Sequence, residues 1–150
     1  MTQTQGIDPR GPRFGAGITG VLLLIVIALS LTGATIASVV LFAVIVAIFG
    51  WGAFAGIQRH PYGLFFKKVI RPRLKPPLEL EDPKPPTFAQ GVGLVITGLG
   101  LVLALIGVPL ALPIAAGLAF IAAFLNSVFG YCLGCQIYLL LVRSRVIKAA

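Results

Sequence analysis

Long apolar stretches separated by short polar segments dominate the chain. Four runs contain no Lys, Arg, Asp or Glu, and they cover roughly residues 14–31, 34–56, 88–108 and 110–142. Helices of about 17–25 apolar residues can cross the hydrocarbon layer of a membrane. Strict alternation of apolar and polar positions is missing, which argues against a β-barrel. The pattern therefore predicts an all-α membrane protein with four transmembrane helices.

The composition supports this prediction. Hydrophobic residues make up 58% of the chain and charged residues only 11%, whereas soluble domains carry about 25% charged residues. With 150 residues, the chain has no room for a separate soluble catalytic domain. We therefore predict a single integral membrane domain over residues 1–150 and exclude the soluble, disordered and disulfide-scaffold classes.

The positive charges indicate an orientation in the membrane. All 12 Lys and Arg residues lie in the N-terminal tail, the middle loop or the C-terminal tail, and the turns at 31–34 and 107–110 carry none. Because Lys and Arg favour cytoplasmic loops, both termini and the middle loop are predicted to be cytoplasmic. The net charge of +8 fits an anionic lipid surface better than nucleic acid. A cleaved signal peptide ending near residues 32–34 is the competing interpretation, and it would leave three spans.

The two halves of the chain resemble each other. Three pairs of segments match in the same order: 8–17 with 82–91, 49–51 with 129–131, and 62–67 with 138–143. This similarity predicts two duplicated helical hairpins, repeat 1 over 8–71 and repeat 2 over 82–148. A Pro-rich cytoplasmic linker over 72–81 would join them. Both repeats would face the same way, related by a pseudo-twofold axis along the membrane normal.

Each hairpin is predicted to be followed by a short amphipathic helix at the membrane interface. In residues 61–71, most apolar side chains share one side of a helix and the basic ones share the other. By the repeat, residues 136–148 form the equivalent helix, and the fourth span ends near Tyr131. The side chains expected to contact lipid headgroups are Lys67, Lys68, Arg71, Arg143 and Arg145. The alternative is one long, tilted fourth helix that continues to residue 142.

Few side chains in the apolar runs suggest chemistry. No carboxylate pair lies within a span, and one histidine in the chain cannot form a His-based metal centre. We interpret His60 as an interfacial residue, and Asn126 with Ser127 as interhelical hydrogen-bonding residues. Residues 87–90 read as a capping box that starts the third span. No cofactor and no metal site is predicted.

Cys132 and Cys135 are the only cysteines in the chain. Their spacing is that of dithiol redox motifs and of half a thiolate metal site. Two small residues buried at a helix contact are an equally good interpretation. The predicted location at the reducing cytoplasmic face argues against a stable structural disulfide. If the helix breaks around residues 130–134, the thiols lie at a new helix N-terminus, where nearby Arg143 or Arg145 could stabilise a thiolate.

A set of longer motifs resembles one group of bacterial membrane proteins. The motifs are Asp-Pro-Arg-x-Pro-Arg-Phe from Asp8, His-Pro-Tyr-Gly-Leu-Phe from His60, Arg-Pro-Arg-Leu from Arg71, Leu-Glu-Asp-Pro-x-Pro-Pro-x-Phe-Ala-Gln-Gly-Val-Gly from Leu80 and Cys-Leu-Gly-Cys-x-Ile-Tyr from Cys132. Together they resemble domain of unknown function 4395, which is common in actinobacteria. The resemblance implies a bacterial plasma membrane location and a C-x-x-C pair that maps onto Cys132 and Cys135. It also implies an association with thioredoxin-like and sulfurtransferase proteins.

Three functional hypotheses follow. The first is a membrane dithiol protein that exchanges electrons or sulfur with a thioredoxin-like or sulfurtransferase partner, with Cys132 attacking and Cys135 resolving. The second is a non-enzymatic scaffold or complex subunit with a basic lipid-binding inner face, and the third is a small permease. A homo-oligomer is compatible with each. Analogy with four-helix membrane thiol oxidases suggests a quinone, but those enzymes use further cysteines that usually face outward, and two inward thiols argue against that assignment.

Overall fold

A computed structural model describes residues 6–148. In chain order, the helices of this part are α1 (Arg10–Leu31), α2 (Thr35–Ala55), α3 (Pro61–Phe65), α4 (Lys84–Leu105), α5 (Ala111–Phe129) and α6 (Leu133–Arg143). A π-helical turn at Phe66–Ile70 and a 3₁₀ turn at Arg71–Arg73 extend α3. The long helices α1, α2, α4 and α5 are apolar enough to cross a membrane. The four predicted spans are therefore confirmed, and they indicate a multi-pass membrane protein.

The four long helices form one bundle. The most extensive contacts join the two hairpins, with α1 against α5 and α2 against α4, while α1–α2 and α4–α5 contacts hold each hairpin together. Leu23 and Val26 of α1 meet Phe42 and Ile45 of α2 in a buried core that Ala116 of α5 completes. Many large apolar side chains point outward instead. Such a surface is unfavourable in water and suits the hydrocarbon of a bilayer.

Small residues let the helices approach closely. At Gly100 of α4, an added β-carbon would collide with the β-carbon of Ala115 on α5. At Gly93, it would collide with the ring of Phe49 on α2. Ala115 and Ala119 of α5 are both buried, and small residues at this spacing let helices approach closely.

The two ends of the bundle differ. At one end, short turns contain Gly33 and Gly107, both with φ near +90°, a conformation that other residues rarely adopt. The opposite end, where α1 and α4 begin and where α2 and α5 end, carries all the basic residues of the chain. We call it the basic end.

The fourth apolar run is broken. α5 ends at Phe129, Gly130 follows with φ +67°, and α6 starts at Leu133. The predicted bend within residues 130–134 is therefore confirmed, and the alternative of one continuous helix to residue 142 is wrong. The left-handed conformation of Gly130 ends α5, because it turns the next residues away from the helix axis.

The start of the third span differs from the prediction. α4 begins at Lys84, so Pro85 and Pro86 lie in its first turn. Backbone N–H groups there have no partner within the helix, so proline loses no helical hydrogen bond. The predicted capping box is wrong, because Thr87 lies inside the helix and its hydroxyl donates to the carbonyl oxygen of Pro83 at 2.7 Å. Asp82 holds the helix start instead, since its carboxylate accepts from the Lys84 amide at 2.9 Å.

Several contacts occur at matching positions in the two halves. Asp8 accepts from the Arg10 amide at 3.0 Å, as Asp82 does from that of Lys84. Phe14 of α1 and Phe88 of α4 also align, and each packs on an aromatic ring of the segment that follows a hairpin. The ring of Phe66 is 5.8 Å from that of Phe14, and the ring of Tyr138 is 5.6 Å from that of Phe88, although Tyr138 aligns with Tyr62 and not with Phe66.

We expect Gly100→Ala to lower the free energy of unfolding by about 1–3 kcal/mol, the usual cost of overpacking a tight contact. Unfolding of the purified protein in detergent micelles measures it. Gly98→Ala is the matched control, because a β-carbon there meets nothing within 4 Å and alanine favours the helix. Equal stability of the two variants would contradict the close α4–α5 contact.

Candidate dithiol site

Cys132 directly precedes α6. It has extended backbone geometry, and its Sγ accepts a hydrogen bond from the Cys135 amide at 3.2 Å. This is the position of an N-cap, where a side-chain acceptor pairs with a free amide of the first helical turn. The positive end of the helix dipole therefore points at the sulfur atom.

The structure joins Cys132 and Cys135 in a disulfide, with their Cα atoms 5.1 Å apart. Both residues are half-buried. The short C-x-x-C segment can close this bridge because Cys132 lies outside the helix and Cys135 in its first turn. The oxidised pair thus fits the fold. Whether the pair is oxidised in the cell depends on the redox state of the surrounding compartment.

A close helix contact positions α6. A β-carbon on Gly134 would lie 2.5 Å from that of Ala89, so only glycine lets the start of α6 approach α4 this closely. The first turn of α6 is thereby placed next to Ala89 of α4.

Cys132 lines a cavity of about 890 Å³ between the helices, whereas Cys135 does not. The cavity extends from the basic end to Ile96 and Leu118, which lie near the middle of α4 and α5. Most of its inner wall is made of apolar side chains and small residues, and its polar residues include Gln90, Asn126 and His60. We call this space the central cavity.

Arg13 is a basic side chain near Gly130, which lies two residues before Cys132. Its guanidinium lies against Gly130, where an added β-carbon would be 3.5 Å from Cζ. It donates to the carbonyl oxygens of Ser127 and Val128, both at 3.4 Å, at the end of α5. Arg143 and Arg145 were predicted to lie near the cysteines, but they follow the opposite end of α6, about 15 Å away along an α-helix of this length.

Gln90 and His60 meet on the wall of the central cavity. A β-carbon on Gly52 would lie 2.8 Å from both Gln90 Oε1 and His60 Cδ2, so a glycine on α2 makes room for both. Gln90 Oε1 is buried and accepts no hydrogen bond from the described residues. His60 is 4% exposed, and its Nδ1 accepts from the Tyr62 amide at 3.3 Å, which leaves the proton of the neutral ring on Nε2.

The N-terminal segment contributes to the wall of the cavity at the basic end. Ile7 and Glu81 exchange two backbone hydrogen bonds, of 2.8 and 2.9 Å, and both residues line the cavity. Asp8 is buried and forms an ion pair with Arg10 at 2.7 Å. The hydrogen bond from the Arg10 side chain is the main reason that the pKa of Asp8 lies below its usual value.

The basic residues predicted to contact lipid headgroups do not form one uniform surface. Lys67 and Arg71 line the central cavity, and Arg71 lies 3.9 Å from the Asp8 carboxylate. Lys68, Arg143 and Arg145 are exposed. Within residues 6–148, no group of three His, Cys, Asp or Glu side chains could hold a metal ion.

The family model for a domain of unknown function, DUF4395, matches residues 7–143. The chain belongs to this family. The match covers nearly all of the chain and includes all four long helices. No curated protein and no solved structure matches the chain significantly.

Sequence reasoning placed the two cysteines at a helix break but missed Arg13 and Gln90 as site residues. At both positions the two aligned repeats differ in polarity. Arg13 aligns with Thr87, and Gln90 aligns with Ala16. That difference is the one signal in the sequence that could have singled them out.

We expect the imidazole of His60 to titrate below its ordinary pKa of 6.5, because burial disfavours the charged form. The unfolded chain then binds more protons than the folded one below that pH, so the free energy of unfolding falls as the pH drops through 6.5. Since the chain has a single histidine, NMR of ¹³C-labelled histidine reads this group alone.

His60→Asn provides the control, because asparagine retains an acceptor for the Tyr62 amide and does not titrate. The variant should lose the slope of stability against pH between 5 and 7. A pKa at or above 6.5 would show that the ring is not buried.

Proposed function

We propose that this protein is a membrane dithiol protein, in which Cys132 and Cys135 exchange electrons or sulfur with a thioredoxin-like or sulfurtransferase partner. The observation that carries the proposal is the N-cap position of Cys132: its Sγ accepts the Cys135 amide and is also close enough to bond with the Cys135 sulfur. An amide donor and the positive end of a helix stabilise a thiolate, which is the reactive form in thiol–disulfide exchange.

The exchange needs no further group from the chain. A partner thiolate attacks Cys132 Sγ, the bond between the two cysteines breaks, and Cys135 leaves as a thiolate. A second partner thiol then attacks the mixed disulfide, leaving the partner oxidised and the pair reduced. In sulfur transfer, the Cys132 thiolate takes the outer sulfur of a partner persulfide, and the partner leaves as a thiolate.

Two duplicated hairpins are part of the proposal. The contacts of α1 with α5 correspond to those of α4 with α2. Ile7 pairs with Glu81. These two residues are as far apart along the chain as Asp8 is from Asp82, and as Gly33 is from Gly107. Equivalent residues that pair with each other are expected on a pseudo-twofold axis. A single domain of repeats 8–71 and 82–148 joined by linker 72–81 accounts for these features.

The orientation and the interfacial helices belong to the same proposal. The basic end would face the cytoplasm of a bacterium, with α3 and α6 along the inner surface of its plasma membrane. The packing of Phe66 on Phe14 and of Tyr138 on Phe88 supports this, because it holds the extension of α3 and α6 beside the second turns of α1 and α4.

A second candidate function is a non-enzymatic scaffold or subunit that binds anionic lipid. It is favoured by the exposure of Lys68, Arg143 and Arg145 at the basic end, where each basic group near an anionic surface contributes about 1 kcal/mol. The dithiol proposal and the scaffold differ in whether the cysteines react in the native membrane.

We expect Cys135→Ser to trap a mixed disulfide between Cys132 and the partner, because the resolving thiol is gone. Non-reducing electrophoresis of native membranes, followed by mass spectrometry of the trapped adduct, measures it. Cys132→Ser is the matched control and should trap less. If neither variant traps a protein and Cys132→Ala/Cys135→Ala leaves stability and complexes unchanged, the scaffold function replaces the dithiol function.

We expect a reporter fused to the C-terminus to be active only if it functions in the cytoplasm. The physical reason is the cost of moving the basic residues that follow α6 across the membrane. Paired fusions, one reporter active inside and one active outside, measure the orientation. Activity of the outside reporter would reverse the orientation and remove the cytoplasmic partner from the proposal.

A further inference from the structure

The central cavity opens toward the lipid as well as toward the basic end. Leu118 and Ile121 line it, yet they are 55% and 54% exposed. They belong to the stripe of α5 that faces outward, together with Ile114, Phe124 and Val128. The opening therefore lies on an apolar surface of a membrane-spanning helix, and an amphiphile dissolved in the bilayer can enter sideways.

The inner part of the cavity combines apolar surface with a few polar groups. Ala119, Ala122 and Ile96 form apolar wall. Gln90 Oε1 is a buried acceptor without a donor among residues 6–148, which is rare in folded proteins and costs free energy. His60 lies beside it, with Nδ1 already accepting from Tyr62 and its ring N–H on the other nitrogen. The wall thus presents one free acceptor, a donor-bearing ring and the sulfur of Cys132.

We propose that the central cavity binds the ring of a lipid-soluble quinone, which exchanges two electrons with the Cys132–Cys135 pair. The inference rests on the proposed dithiol function and adds its membrane-side reactant. A volume of about 890 Å³ is within the range of small-molecule sites. Quinones are the carriers that dissolve in hydrocarbon and transfer two electrons with two protons, as a dithiol does.

The polar groups fit both redox states of such a ring. A hydroxyl of the reduced ring donates to Gln90 Oε1, which has no donor in the described part of the chain. A carbonyl of the oxidised ring accepts from the N–H of His60. An apolar tail lies along the opening at Leu118 and Ile121.

The reaction is balanced between the two partners. The dithiol loses two electrons and two protons: both S–H bonds break and the S–S bond between Cys132 and Cys135 forms. The quinone gains the two electrons and two protons, and its two carbonyl oxygens become hydroxyls. Thiols of the proposed partner protein reduce the disulfide again, so electrons pass from that protein to the quinone.

The central cavity lets two inward-facing thiols meet a quinone. Four-helix thiol oxidases use further cysteines, which usually face outward. Here Cys132 itself lines a space that reaches the lipid phase, so one pair at the basic end can meet a quinone from the membrane.

The experiment uses the full chain, reduced and placed in lipid nanodiscs, with a naphthoquinone carrying a short alkyl tail as the probe. Binding is measured with a photoreactive form of this probe and mass spectrometry of the labelled peptides, and electron transfer is measured from the loss of quinone absorbance. We expect label on cavity residues and one quinone reduced per dithiol. Cys132→Ser should bind the probe but not reduce it.

Two variants of α5 separate binding in the cavity from partition into the lipid. Ala122→Phe fills the cavity and should weaken labelling by about tenfold or more, which corresponds to about 1.4 kcal/mol. Ile114→Phe lies on the same outward stripe but does not line the cavity, so it should label as the unmodified chain does. Thermal unfolding of both variants checks that they fold, and His60→Asn or Gln90→Leu replaces Ala122→Phe if that variant does not.

Equal labelling of the cavity-filling variant and Ile114→Phe would overturn the proposal, as would bound quinone that the dithiol does not reduce. If Cys135→Ser still traps a partner in either case, the dithiol function stands and only the quinone is lost. If the quinone is bound and reduced but no partner is trapped, the partner is wrong and the quinone site stands.

Discussion

The left-handed turn at Gly130 is the constraint on which the site depends. A residue with a β-carbon would lose about 1–2 kcal/mol in this conformation, and a continued helix would use the amide of Cys135 inside its own ladder. Because the chain turns at Gly130, that amide is free to bond to Cys132 Sγ. Gly134 then brings the new helix against Ala89. Two glycines therefore set both the chemistry of the sulfur and its distance from the bundle.

Close packing is unequal along the bundle. The buried core residues, among them Leu23, Val26 and Leu112, lie in the half near the turns at Gly33 and Gly107. The half at the basic end contains the central cavity. A well-packed half can supply the stability of the fold, which leaves the other half free to keep an open space and an unpaired polar group.

The sequence predicted the features that depend on local pattern. Apolar runs located the four spans, and the length of the fourth run together with the similarity of the two halves indicated the break. The sequence did not predict the features that depend on contacts between distant segments. Pro85 and Pro86 lie before the apolar run that marks the third span, yet they belong to α4, because proline also fits the first turn of a helix that tertiary contacts hold in place. Nothing in the sequence near Arg13 shows that it contacts the end of α5, and nothing near Gln90 shows that it lies beside His60. These neighbours are distant along the chain and are brought close only by the tertiary structure.

The turns at Gly33 and Gly107 carry no ionised side chain, and this has a consequence for biosynthesis. A charged residue at the centre of a bilayer costs about 2.5–3.5 kcal/mol on insertion scales. Each pair of long helices can therefore enter the membrane tip first, as one folded loop, without dragging an ion through hydrocarbon. In the proposed orientation, the basic flanks stay on the cytoplasmic side, where the ribosome delivers them, and the insertion machinery needs to move only apolar sequence.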